Sequence, residues 1–186
     1  MASASPSATE TPAGDEGHPF PVYAAALYAR PGVAAACLTL QDELGADVNL
    51  LLSACWLAAR GRRLEPHEAE GLRALAAAWR EPVLAPLRAA RRAMKPLLAG
   101  LEGSPEAARA ATLRRELAAL ELELEQLVER LLEAAARGCG RAAAAGPETA
   151  RANLGLLCGA EIARTALADA IVALAFPATD QGFTKL

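Results

Sequence analysis

Residues 105–137, PEAARAATLRRELAALELELEQLVERLLEAAAR, decide the fold class. Leu113, Leu117, Leu120, Leu124, Leu127 and Leu131 follow one another at intervals of 4, 3, 4, 3 and 4. That spacing puts all six on one side of a helix and is incompatible with the period of two in a strand. Leu122, Val128 and Leu132 widen the seam toward the broader apolar face of a bundle helix. Ser104-Pro105-Glu106 supplies the start: an N-cap, a proline at the first helical position and an acid in the first turn. The reading is one helix over 105–137, about 50 Å long at 1.5 Å per residue.

The rest of the chain agrees. Of 186 residues, 48 are Ala and 30 Leu, while Val and Ile together supply eight. Sheets favour β-branched and aromatic side chains and helices favour Ala and Leu, so a sheet core is excluded. We expect an all-α, single-domain helical bundle of six or seven helices, the long leucine-rich one among them. Before the long helix, turn signals at Pro31-Gly32, Gly45 and Gly61 divide three helices, over 21–30, 33–44 and 48–60, with Asp47 as N-cap of the third. The third is apolar almost all round, the mark of a central element. A fourth helix runs from Pro66 to Trp79-Arg80, Pro82 and Pro86 break or kink the chain, and a fifth reaches Lys95. After the long helix, GCGRAAAAGP (138–147) reads as a connector, and a last helix runs from Pro147 to about Phe176 with a bend near Gly155 or Gly159. Its Ala152, Gly155, Gly159, Ala163, Ala166 and Ala170 read as a ridge of small residues for close packing. The domain is placed at 20–176, between a disordered leader (1–19) and a flexible tail (177–186).

Two stretches look familiar. FPVYAAALYARPGVAAACLTLQDELGADVNLLLSACWLAARGRRL (20–64) and WREPVLAPLRAARRAMK (79–95) resemble a family of small helical proteobacterial proteins known only as a domain of unknown function. The resemblance implies a single helical cytoplasmic domain of a bacterium, and it brings no activity, cofactor, partner or site residue. The leader shows no basic segment followed by an apolar one, and no stretch approaches the ~20 apolar residues of a membrane span. Cys37, Cys55, Cys139 and Cys158 form no C-x-x-C pair and read as packed free thiols of a reducing cytosol.

Chemistry-bearing residues form three groups. Arg88, Arg91, Arg92 and Lys95, at i, i+3, i+4 and i+7, place four cations on one helix face, and Arg60 lies at another helix end. Residues 60–95 carry nine bases and four acids, whereas residues 116–133 carry six glutamates and one arginine. Guanidinium groups clamp phosphates in a two-pronged way, but opposed stripes also pair with each other, and that internal pairing is the plainer reading. Glu121, Glu125 and Glu129 share a helix face; without a Glu-x-x-His motif they read as a solvated face and no metal is assigned. Asn49, Ser53, Trp56 and Arg60 make a polar stripe on the third helix, and Glu161, Thr165 and Asp169 another on the last. If they face each other, they build a polar pocket or a buried network, with an arginine needed beside Asp169.

No nucleophile–base pair, glycine-rich phosphate loop or aspartate cluster is present, so neither an enzyme nor a cofactor is assigned. The leading expectation is a non-catalytic cytosolic adaptor that docks a protein partner through the Arg88–Lys95 stripe or the helix around 113–132. The second is an enzyme or sensor holding a small anionic, phosphorylated ligand near Arg60 and Arg88–Arg92. RNA or ribosome association ranks below both, because acidic helices flank the basic segment and sequence pI is about 5.5.

Overall fold

The structure, a computed structural model, describes residues 18–177. The expected leader and tail thus lie almost wholly outside the described residues. Of the leader, only His18 and Pro19 are seen, and they are tied down: the His18 carbonyl accepts a hydrogen bond from Trp56 Nε1 at 3.0 Å.

The chain is all-α, with one long helix. Helices α1 (Phe20–Tyr28), α2 (Val33–Leu44) and α3 (Val48–Ala59) follow one another through glycine-stopped corners. Asp47 Oδ1 caps α3, accepting from the backbone N–H groups of Asn49 and Leu50 at 2.9 and 3.3 Å. Every residue of α3 from Asn49 to Ala58 is buried. It is the central rod, and α7 (Pro147–Cys158) lies most extensively along it. Cys37 and Cys55 fill core space on α2 and α3, and burial pushes their thiols up to about 11 and about 12. Both thiols therefore stay neutral.

Helix α4 (Pro66–Trp79) passes through a π-helical turn (Arg80–Leu84) into α5 (Ala85–Ala99). The prolines at 82 and 86 remove backbone donors there, so the chain widens for one turn instead of breaking. Helix α5 runs past the expected stop at Lys95 and carries Pro96 inside it. It then turns back into α6 (Ala107–Ala136), the long helix. The leucine seam was expected to be the buried face of α6. Instead, the deeply buried positions are Glu121, Val128, Leu132 and Ala136, in the half of α6 that reaches the core. Leu113 and Leu120, in the other half, are exposed, and α5, which packs along α6, has no buried residue of its own.

Two further departures lie in the C-terminal third. The connector after α6 contains β2 (Arg141–Ala142), which pairs antiparallel with β1 (Arg62–Arg63). Gly61 is required beside this clasp. Its φ is +65°, and a Cβ there would stand 2.8 Å from the carbonyl oxygen of Ala143. The expected last helix is present as three pieces, α7, α8 (Ala160–Ala163) and α9 (Ala166–Ala175). Gly159, at φ +90°, breaks the first junction, and Thr165 caps α9 by accepting from Ala168 N at 3.1 Å. The ridge of small residues is therefore not one line: it crosses two helix ends, and Ala166 and Ala170 face outward.

Candidate functional site: a cleft between α1 and the α5–α6 hairpin

Helices α1, α2, α3, α5 and α6 enclose a half-open cleft of about 810 Å³. One wall is aliphatic and aromatic: Val22, Ala25 and Tyr28 of α1, Leu38 of α2, Leu52 of α3 and Leu122 of α6. Val22, Leu38 and Leu122 are exposed, so the mouth has apolar lips. The charged part of the lining comes from the α5–α6 hairpin.

Antiparallel packing decides what that part looks like. As α5 advances from Arg88 to Arg91, α6 recedes from Glu125 to Glu121, and spacings of three and four bring the stripes face to face. Arg88 Nε donates to Glu121 Oε1 at 2.9 Å, and Arg88 Nη2 donates to Glu125 Oε1. Arg91 donates from Nε to Glu121 Oε2 at 2.6 Å and from Nη2 to Glu121 Oε1 at 3.3 Å. Glu121 is only 7% exposed. Burial alone would raise its pKa, but hydrogen bonds from Arg91 and Arg88 outweigh burial and hold the carboxyl below its ordinary value. The glutamates are thus not a solvated face. They look into the protein, and two of them neutralise the arginines expected to bind an outside anion.

Glu129, one turn further, is different. It is half-buried and forms no hydrogen bond or ion pair with a described residue. Burial, then the charge of Glu125, push its carboxyl up to about 7, against a lowering influence from Arg130. Asn49, 7% exposed, lines the same cleft, and its side-chain amide makes no hydrogen bond to a described residue. Gln41 and Gln126 add two more amides to the lining.

The other expected site residues are dispersed. Arg92 pairs with Asp42 at 2.9 Å on the surface, and Lys95 is exposed. Arg60 does not line the cleft. It lies over the Trp56 ring at 4.9 Å, at the far end of α3 from Asn49, while Trp56 in turn packs on Phe20 at 5.3 Å between ring centroids. A single site built from Arg60 together with Arg88–Arg92 is therefore corrected. The two polar stripes do not meet either. Ser53 is buried and donates to the Leu50 carbonyl at 3.0 Å, Glu161 is exposed, and Thr165 is a cap. Asp169 has its arginine, Arg151 at 2.9 Å, but as an exposed pair on the surface. Only Asn49 of the seven stripe residues lines the cleft.

Sequence reasoning missed Glu129 as a separate case and missed Tyr28 altogether. Tyr28 sits beside Glu125 and Arg88, and burial raises its pKa. The signal for Glu129 was its position one turn beyond the two glutamates that meet the α5 arginines, out of reach of that stripe.

Residues 22–132 match a family described as a protein of unknown function, DUF2390. The chain belongs to this family. The matched segment holds every cleft residue named above and ends within α6, so the cleft lies inside the part of the fold by which the family is defined. No curated protein and no solved structure matches the chain. Among the described residues, no helix is long and apolar enough to cross a membrane.

Proposed function

We propose that this DUF2390 protein is a non-catalytic binding protein that holds a small molecule with an apolar body and a polar head in the α1–α6 cleft. The single observation that supports this is the cleft itself. Its volume falls within the ~300–1,000 Å³ of small-molecule sites, and it joins an aliphatic wall to a few convergent polar groups, as such sites do. The hairpin network preorganises the charged lining, because Arg88 and Arg91 are fixed by carboxylates before any ligand arrives. A phosphorylated ligand would have to displace those carboxylates, so the anionic alternative is set aside.

A neutral fluorescent probe, 1-aminoanthracene, tests the reading. Its emission should rise and shift to the blue on adding the full chain. Ala25→Trp, which fills the cleft from an exposed position on α1, should abolish that response while leaving the melting temperature within a few degrees. An unchanged response in Ala25→Trp would show that the probe binds elsewhere.

Partner docking is the second reading, and one observation favours it. Leu97, 67% exposed, and the exposed Leu113 and Leu120 lie on the α5–α6 hairpin. That surface lacks the polar selectivity that the cleft offers, and it ranks second for that reason.

A further inference from the structure

We propose that the ligand's polar head is a cation, an amine or related nitrogen base, and that Glu129 is its counter-ion with Asn49 as a neighbouring hydrogen-bond acceptor. This rests on the ligand-binding reading and specifies its chemistry.

The charges around the cleft lead to that head group by subtraction. From α5, Arg88 and Arg91 are engaged by Glu121 and Glu125 of α6, and Arg92 at the rim is engaged by Asp42. Glu133, one turn beyond Glu129, already accepts the backbone N–H of Phe20 at 3.1 Å. Helix α1 contributes the Tyr28 hydroxyl, and α2 and α3 contribute only the uncharged amides of Gln41 and Asn49. What remains is Glu129, half-buried and unpaired among described residues, and Arg130, exposed at the mouth where solvent screens it. Of the two lining charges without an ion-pair partner among the described residues, the half-buried one is thus negative and the positive one is exposed.

An unmatched carboxylate in such a place is costly, and a ligand cation removes the cost by pairing with it. Without one, burial and Glu125 favour the protonated acid. Asn49, 7% exposed as a residue and with its amide unengaged by any described residue, adds an amide oxygen that can accept from an ammonium N–H. The aliphatic wall leading out to Val22, Leu38 and Leu122 suits the hydrocarbon part of a hydrophobic amine.

Octylamine, octanol and octanoate share one tail and differ only in head-group charge. Their dissociation constants for the full chain can be measured by displacement of 1-aminoanthracene at pH 8 and pH 5.5. Octylamine stays cationic across that range, while Glu129 passes from mostly ionised to mostly protonated. The expected result is octylamine at least about tenfold tighter than octanol at pH 8, with octanoate weakest and the advantage shrinking toward threefold or less at pH 5.5. Glu129→Gln should remove the advantage at both pH values. Octanol or octanoate binding as tightly as octylamine at pH 8 overturns the cationic assignment, as does a preference that ignores pH in the wild type. A preference that survives Glu129→Gln overturns the assignment of the counter-ion. If none of the three binds, the ligand-binding reading falls and takes this one with it.

Discussion

Asn153 shows how much one side chain of this chain can hold together. It is fully buried on α7; its Oδ1 accepts from Leu64 N at 2.9 Å and its Nδ2 donates to the Arg62 carbonyl at 2.9 Å. It therefore satisfies the backbone of the β1 clasp from a helix that arrives some ninety residues later. Asn153→Ala would strand a buried donor and a buried acceptor together, and we expect a loss of about 2–3 kcal/mol in urea denaturation. Glu129 supplies a prediction of the opposite kind. Its folded-state pKa of about 7 lies above the ordinary value of 4.5. Between those values the folded chain keeps a proton that the unfolded chain has released. Stability from this group is present at low pH, declines as pH rises through that window and is lost above about 7. Glu129→Gln should remain flat across it and exceed the wild type at pH 8 by an amount on the order of 1–2 kcal/mol, discounted for partial exposure. Neither residue announced its role in the sequence. An asparagine in an apolar helix signals a buried polar contact, but not with which strand, and Glu129 looks like its neighbours until the arginines have chosen theirs.

At the level of elements, the helices follow from local chemistry and their termini from caps. Asp47, Gly45 and the Ala/Leu content of α3 were legible because each acts within one turn. The clasp between β1 and β2 was not, since two-residue strands have no period to read and this pair joins residues eighty positions apart. The burial of α6 was misjudged for a related reason. A heptad seam shows which side can be buried, while the neighbours that arrive decide how much is, and in α6 the buried positions run only from Glu121 to Ala136. The α5–α6 pair has a dynamic consequence. Helix α5 has no buried residue, whereas α3 is buried from Asn49 to Ala58. Amide hydrogen exchange read by mass spectrometry should find α5 exchanging at least about tenfold faster than α3, through local opening that leaves the core intact. Equal protection in the two helices would mean that something further covers α5.

Taken whole, the molecule is a central apolar rod wrapped by helices, with a charged hairpin whose inner face closes one side of a cleft. The all-α class was written in the composition, because 48 Ala and 30 Leu leave little else to build. The cleft was not, since it exists only between five elements and no segment carries it alone. The residues that line it were partly visible as charge stripes, but pairing across the hairpin reversed their meaning: the arginines became scaffold, and a glutamate unpaired among the described residues became the candidate contact. Backbone amide NMR of the full chain, titrated with 1-aminoanthracene, tests this most directly. The account predicts shifts concentrated at cleft residues such as Ala25, Asn49, Leu52 and Leu122, with the exposed tip around Leu97 and Leu113 unmoved. Shifts centred on that tip, or none at all, would contradict it.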